Sequence, residues 1–160
     1  IKGGGQERGG RAGTENVAGI AGFGAAAQLS LEADIVRMRG LRDALETGLK
    51  STTPQAVIFG AEADRLPNTT LFALPGIKAE TAVIAFDLDG VALSSGAACS
   101  SGKVQPSHVL AAMGVPRALS EAAIRVSLGA ATAESDIERF QNAWNRLSKS
   151  LGKERNGLAA

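Results

Sequence analysis

The chain has 160 residues, of which 44% are hydrophobic and 21% charged, and its formal net charge is +1 at pH 7. This length suits one domain with a sizeable core, since domains usually have roughly 100–200 residues. No run approaches the roughly 18 apolar residues that a membrane helix needs, so we expect no membrane partner. Mixed charge signs, 4% aromatic residues and no tyrosine also argue against nucleic acid as a partner.

The first residues indicate further sequence upstream, and the cysteine content indicates a reducing compartment. The chain opens on IKGGGQERGG without an initiator methionine, and we expect further sequence upstream. Cys99 is the only cysteine, so it cannot form an internal disulfide. With no visible signal peptide, this content favours a reducing cytoplasm, where a lone thiol is either inert core or reactive.

The N-terminal segment is rich in glycine, at positions 3, 4, 5, 9, 10 and 13. This composition predicts a loop whose backbone comes close to another group. Thr14 is predicted to cap the helix that follows, with Glu15 in its first turn. The helical region has small and apolar residues over 17–27 and then becomes an amphipathic surface helix. A bend is expected near Ser30 or Gly40.

Strands and a helix are predicted before the cysteine segment. The strands cover residues 56–60 and 69–74, where β-branched and aromatic residues lie between prolines. A helix over residues 79–88 is stopped by Gly90. A short strand over residues 91–93 then leads into the cysteine segment.

Beyond the cysteine segment, Pro106 is predicted to open a short helix that runs through Met113 and is closed by Gly114. The stretch 123-AIRVSLG-129 is predicted to be a strand. One face of this strand carries its apolar side chains, Ile124, Val126 and Leu128.

A last helix completes the chain, with Thr132 as its predicted cap and a frayed tail after Gly152. Its predicted apolar stripe consists of Ile137, Phe140, Trp144, Leu147 and Leu151. Strands interleaved with helices indicate an α/β layer architecture.

Cys99 lies in 94-SSGAACSSG-102, a segment with little apolar surface and much backbone freedom. A free cysteine is more often a small buried hydrophobe. Serines and glycines make a fixed core position hard to build here, so we expect a mobile and accessible thiol. Its reactivity depends on the thiolate, which Lys103 and a helix start near Pro106 would favour.

Arg125 stands among apolar residues of a predicted strand, where an unpaired guanidinium is costly. We expect its side chain to meet solvent or an anion on the face opposite Ile124 and Val126. Its planar fork suits a carboxylate held by two hydrogen bonds, and a solvent-facing arginine on an edge strand is the alternative. His108, the only histidine, could act as a base, but an exposed helical histidine is commoner.

Two other motifs do not support a site of their own. The segment 87-DLDG-90 is similar to the start of a calcium loop, but 91-VALSSG-96 supplies no further acidic residue, so no metal site is expected. The segment 3-GGGQERGGRAGT-14 lacks the ending of a P-loop and follows no visible strand. A phosphate could still bind there, through the Thr14 hydroxyl and free N–H groups at the helix start.

Taken together, three segments resemble one family. These segments are 3-GGGQERGGRAGTENV-17, 94-SSGAACSSGKVQPSHVLAAMG-114 and 123-AIRVSLG-129. In that order they are similar to the C-terminal part of NifS/IscS-type cysteine desulfurases, which are pyridoxal-phosphate enzymes of the class V aminotransferase type. The resemblance extends to about Leu151 and so covers almost the whole chain.

The resemblance implies an α/β fold, namely the small C-terminal domain of a fold type I pyridoxal-phosphate transferase plus the end of its large domain. A mixed sheet covered by helices is expected. Residues 1–20 would be the end of the large cofactor-binding domain and a linker. Residues 21–152 would be the small domain with a mobile cysteine loop at 94–104, and residues 153–160 a flexible tail.

The resemblance also implies the chemistry. In this family L-cysteine is held on pyridoxal 5'-phosphate, and a loop thiol takes its sulfur, which leaves L-alanine and an enzyme persulfide for an acceptor such as an iron–sulfur scaffold protein. Cys99 would be that thiol and Arg125 would bind the substrate carboxylate. Thr14 would contact the cofactor phosphate of the other subunit of a homodimer. His108 falls at a position that varies in the family and is left out of the site.

Two departures from the family pattern stand out. Gly10 replaces an expected larger residue. No lysine here has the histidine-lysine context of the family's Schiff-base lysine, so we expect that lysine upstream and this chain to be inactive alone. The alternatives are a non-enzymatic persulfide relay or docking module, and a selenocysteine lyase or other class V transferase.

Overall fold

The fold is described for residues 3–31, 34–95 and 107–157 of a computed structural model. The chain divides into two compact units, Ile1–Asp34 and Ile35–Ala160. This division lies between two helices, whereas the boundary expected at residue 20 falls inside the first helix. The assignment of the units to a large or a small domain stays a prediction.

The first unit contains helix α1, Val17–Leu31. The helix begins at Val17 because the side-chain oxygen of Asn16 accepts a hydrogen bond from the N–H of Gly19, at 3.0 Å. Asn16 is therefore the N-cap. The prediction that Thr14 caps this helix is wrong, since Thr14 lies too far before the first turn to reach those N–H groups.

The second unit begins with helix α2. Of the two positions predicted for a bend, Ser30 lies inside α1 and Gly40 lies inside α2. The helix predicted over residues 79–88 is confirmed, and the strands predicted over residues 56–60, 69–74 and 123–129 are confirmed with shorter bounds. A further short helix, α5, was not predicted. The elements are α2 Ile35–Thr52, β1 Val57–Ile58, β2 Thr69–Ala73, α3 Ala79–Leu88, β3 Ser94–Ser95, α4 His108–Ala112, α5 Arg117–Glu121, β4 Ala123–Ser127 and α6 Glu134–Gly157.

Two elements near the cysteine segment begin at residues other than those predicted. The strand predicted over residues 91–93 is wrong in position, because the residues that pair with β4 are Ser94 and Ser95. Helix α4 begins at His108, where the Ser107 hydroxyl caps it by accepting a hydrogen bond from the N–H of Leu110 at 3.3 Å. Pro106, the predicted helix start, lies outside the described residues.

The start of α6 also differs from the prediction. Helix α6 begins at Glu134, and the carboxylate of Asp136 accepts a hydrogen bond from the N–H of Ala133 at 3.0 Å. The Thr132 hydroxyl instead accepts from the N–H of Gly129, at 2.9 Å, and stabilises the preceding turn. Thr132 is therefore not the cap of this helix.

The four strands form one sheet in the order β1-β2-β4-β3, and its three neighbouring pairs are all antiparallel. The expectation of a mixed sheet is wrong for these strands, because the connection through α3, α4 and α5 returns β4 in the direction opposite to β2. The register pairs Phe72 with Ile124 and Leu71 with Arg125. Since side chains alternate across a strand, the first pair faces one side and the second pair the other.

The core lies between the Phe72 face of the sheet and helices α2, α3 and α6. Four fully buried aromatic side chains fill it, Phe72, Phe86, Phe140 and Trp144. Phe86 stacks on Phe140 with ring centroids 5.0 Å apart, and Phe72 meets Trp144 edge to face at 5.4 Å. The indole N–H of Trp144 donates to the Thr53 hydroxyl at 2.9 Å, which satisfies the one polar group of the cluster.

The predicted apolar patterns are confirmed where side chains are described. The side chains on one face of β4 are buried, namely Ile124 and Val126. Leu128, which follows the strand, is buried on the same face. The stripe of α6 is buried from Ile137 to Leu147, and the side chain of Leu151 lies outside the described part of the chain. Helix α6 includes part of the tail at 153–160, whose flexibility stays a prediction. None of the helices described combines the length and apolarity needed to cross a bilayer.

An ion pair links α2 to the segment before β2. Arg65 donates from Nη1 and Nη2 to the two carboxylate oxygens of Glu46, at 2.8 and 3.0 Å. Burial raises the pKa of Glu46, but the hydrogen bonds and charge of Arg65, the nearby Thr70 hydroxyl and the charge of Arg42 together lower it by more. The net pKa is therefore below its usual 4.5.

We predict that this pair makes the fold sensitive to acid. Because the folded-state pKa of Glu46 is lowered, the stability that Glu46 adds is complete above its unfolded-state pKa and is lost as the pH falls through the folded one. Glu46→Gln should therefore flatten the fall in the free energy of unfolding between about pH 5 and about pH 3, measured by urea denaturation. The exposed control Glu62→Gln should keep the wild-type slope, and an equal slope in Glu46→Gln would contradict the assignment.

Candidate functional site

Arg125 occupies the middle of β4, an inner strand between β2 and β3. On its face of the sheet its register partners are Leu71 in β2 and Ser94 in β3. The side chain is half-buried, and it projects from the face opposite the core residue Ile124. The alternative of an arginine on an edge strand does not apply, because β4 is paired on both sides.

The guanidinium of Arg125 is not satisfied within the described part of the chain. Its Nε is buried and has no hydrogen-bond partner there, and no described carboxylate forms an ion pair with it. A buried donor without a partner costs about 1–3 kcal/mol, more when the group is charged. An anion of matching geometry, such as a carboxylate, would satisfy this donor.

Cys99 lies outside the described residues, together with Lys103. The structure describes the two ends that flank this segment, β3 on one side and Ser107 on the other. Strand β3 pairs with β4 so that Ser94 opposes Arg125. Strand β3, the last described element before this segment, therefore lies directly beside the arginine.

Thr14 lies in the first unit, in the loop before α1. It is exposed, and its hydroxyl makes no hydrogen bond to any described residue. Arg11 holds the backbone at residues 13 and 14, because its Nη1 donates to the carbonyl oxygens of Gly13 at 2.9 Å and Thr14 at 3.3 Å. Thr14 and Arg125 belong to different units, each described by itself.

The N–H groups at the start of α1 are less available for a phosphate than the sequence predicted. The N–H of Val17 donates to the carbonyl oxygen of Glu15 at 3.0 Å, and the N–H of Gly19 donates to Asn16. The expectation of free N–H groups at the start of α1 is therefore wrong for Val17 and Gly19. Thr14 is exposed, and its hydroxyl is a donor that a phosphate group can accept from.

Other positions singled out in the sequence have simpler environments. His108 is exposed as the first residue of α4. Gly10 has a φ of −73°, which other residues adopt readily, but an added Cβ would lie 3.1 Å from the carbonyl oxygen of Glu7. A larger residue there would thus require a small shift of the loop.

Over the described ranges, His, Cys, Asp and Glu side chains form no group of three or more that could hold a metal ion.

Sequence reasoning missed the roles of Arg11 and Asn16. An N-cap signal was present at Asn16, since this residue immediately precedes the apolar run of α1. No pattern in the sequence identified the carbonyl partners of Arg11, because they lie within a glycine-rich loop of undefined conformation.

Comparisons with known proteins agree with this fold. Residues 4–140 match the family model of aminotransferase class-V. The chain is 48% identical to a cysteine desulfurase from Cereibacter sphaeroides, over 88% of this chain and 36% of that protein. It is 42% identical to the cysteine desulfurase NifS of Azotobacter vinelandii, over 87% of this chain and 35% of that protein. The chain thus spans a little over a third of the length of these relatives.

Solved structures show the same similarity. The X-ray structure of a NifS-like protein from Rickettsia africae matches with a TM-score of 0.80 and 38% identity, over 93% of this chain and 39% of that one. A second NifS-like protein matches with a TM-score of 0.77 and 33% identity, over 93% of this chain and 38% of that one. The resemblance to NifS/IscS-type proteins is confirmed, and the chain belongs to the aminotransferase class-V family.

Proposed function

We propose that this chain is the C-terminal part of a cysteine desulfurase. It would take sulfur from L-cysteine, release L-alanine and carry the sulfur as a persulfide on Cys99 for an iron–sulfur scaffold protein or another acceptor. The observation that carries the proposal is the buried Nε of Arg125, which has no partner among the described residues, in a class-V aminotransferase chain. Similar proteins named cysteine desulfurase support the choice of substrate.

Arg125 binds the substrate carboxylate in this proposal. Its guanidinium is always charged and presents donors in a planar fork that matches the two carboxylate oxygens. The β-sheet backbone holds the base of the side chain on both sides, at Leu71 and Ser94. The carboxylate is thereby fixed, and with it the position of the substrate sulfur.

Cys99 provides the nucleophile. Its thiolate Sγ attacks the sulfur of the substrate, an S–S bond forms and the substrate C–S bond breaks. The electron pair of the C–S bond stays with carbon, which takes up a proton to give L-alanine. Pyridoxal 5'-phosphate, when bound, supplies the electron sink that this cleavage needs.

Chain connectivity keeps Cys99 within reach of Arg125. Ser94 opposes Arg125 in the sheet, and Cys99 follows Ser95 by four residues. Four residues span at most about 14 Å when fully extended. The thiol is thus tethered near the substrate carboxylate, while the serines and glycines around it leave freedom to reach an acceptor.

Thr14 would bind the cofactor phosphate, donating a hydrogen bond from its exposed hydroxyl. We propose that this phosphate belongs to the other subunit of a homodimer, as the family resemblance implies. The Schiff-base lysine would lie in upstream sequence. A thiol that cycles through a persulfide suits a reducing compartment, and we propose the cytoplasm.

Replacing the thiol tests the proposal. In the complete enzyme, Cys99→Ala should abolish persulfide formation, measured by mass spectrometry after incubation with L-cysteine, because the proposal makes Cys99 the nucleophile that accepts the sulfur. Cofactor absorbance and its change on substrate addition should persist. His108→Ala is the control and should retain persulfide formation. Sulfur transfer at the wild-type rate in Cys99→Ala would remove Cys99 from its role.

Replacing the arginine tests substrate binding. Arg125→Ala should weaken binding of L-cysteine by about 2–5 kcal/mol, the loss seen when one partner of a buried charge pair is removed. The measurement is the KM for L-cysteine in the complete enzyme. Arg39→Ala, an exposed arginine on α2, should leave KM unchanged. An unchanged KM in Arg125→Ala would contradict the carboxylate assignment.

The same arginine should not stabilise the fold. Arg125→Met removes a buried donor for which the described ranges supply no partner, so the free energy of unfolding of the purified chain should stay the same or rise by about 1–3 kcal/mol. Arg65→Met is the matched control and should lower it, since it breaks the ion pair with Glu46. Urea denaturation measures both. A clear loss of stability in Arg125→Met would show that Arg125 has a structural partner.

The chain alone should be inactive, because the cofactor lysine is expected upstream. Purified chain incubated with L-cysteine and pyridoxal phosphate should release no sulfide above the rate of the same mixture without protein. Sulfide release at enzymatic rates would place the cofactor lysine within this chain.

A further inference from the structure

Arg11 makes an unusual set of contacts with its own loop. Its Nη1 donates to three successive carbonyl oxygens, those of Gly13 at 2.9 Å, Thr14 at 3.3 Å and Ala12 at 3.4 Å. Two acidic side chains flank the same guanidinium, Glu7 at 3.9 Å from Nε and Glu15 at 4.0 Å from Nη2. The Arg11 side chain thus contacts residues that precede it and residues that follow it in the loop before α1.

The loop needs such a contact because its backbone is otherwise poorly determined. Glycines leave many conformations open, and Gly13 itself has a φ of 91°. Glu7 and Arg8 have φ values of 52° and 58°, the left-handed region that residues with a Cβ avoid. A conformation of this kind persists only when surrounding contacts hold it in place.

We propose that Arg11 is the positioning residue for Thr14. By holding the carbonyl oxygens of residues 12–14, it fixes the backbone from which the Thr14 hydroxyl projects into solvent, ready for a phosphate. This inference rests on the proposed role of Thr14 as a ligand of the cofactor phosphate. Arg11 acts through the loop and does not itself bind the phosphate.

The first readout is loop mobility, compared at saturating pyridoxal phosphate so that differences in cofactor affinity do not affect it. In the complete enzyme, a glutamate-specific protease can cleave after Glu7 and after Glu15, sites that every variant at residue 11 keeps. Arg11→Met should speed this cleavage roughly tenfold, since hydrogen bonds from a charged donor are lost. Arg11→Lys keeps the cation and three N–H donors and should restore part of the protection. Arg39→Met should cleave like the wild type.

The second readout is cofactor affinity, measured from the absorbance of bound pyridoxal phosphate during dialysis. Thr14→Val and Arg11→Met should each weaken binding, and the double variant should be no weaker than Thr14→Val alone, because Arg11 acts through Thr14. Additive losses would mean that Arg11 binds the phosphate directly, which would overturn the proposal.

The two readouts separate the possible failures. Unchanged cleavage in Arg11→Met would overturn the positioning role whatever Thr14 does. Unchanged cofactor affinity in Thr14→Val would instead overturn the proposed role of Thr14, and with it the function assigned to the Arg11 contacts. Faster cleavage together with non-additive losses of affinity would support the inference.

Discussion

The antiparallel pairing of β2 with β4 determines both the core and the candidate site. It places Phe72 opposite Ile124 and Leu71 opposite Arg125, and strand alternation then sends these pairs to opposite faces of the sheet. A shift of the register by one residue would bury the guanidinium among the aromatic rings of the core. The packing of Phe72 against Phe140 and Trp144 therefore keeps Arg125 on the face where it can meet a ligand.

The proposed site combines an arginine held in the sheet with a thiol in a segment whose composition predicts backbone freedom. Arg125 is held on an inner strand, whereas Cys99 follows β3 in a stretch of serines and glycines. A substrate carboxylate needs one fixed position, while a sulfur carrier must reach both a substrate and an acceptor. A buried Nε with no partner among the described residues costs stability, and such a cost is common where a group is kept available for a ligand.

Much of the fold could be predicted from periodicity alone. The buried face of β4 and the stripe of α6 follow directly from apolar residues at strand and helix spacing. Strand direction could not be predicted, since the residues of β2 and β4 are compatible with parallel or antiparallel pairing. The caps at Asn16 and Ser107 were missed because several polar residues precede each helix, and only the backbone geometry selects one of them.

The candidate site was predicted in part. The cost of a charged residue in an apolar strand singled out Arg125, and its half-buried position on an inner strand agrees with that reasoning. The Arg11 contacts could not be predicted, because they depend on loop dihedral angles that glycine leaves undetermined. The roles of Cys99 and Thr14 came from resemblance, and they stay proposals.

A crystal structure of the complete enzyme with L-alanine bound would test the central claim most directly. The account predicts that the carboxylate of L-alanine accepts hydrogen bonds from the guanidinium of Arg125, including Nε, at about 2.7–2.9 Å. A carboxylate bound elsewhere, with Nε of Arg125 donating to a protein carbonyl group, would contradict it.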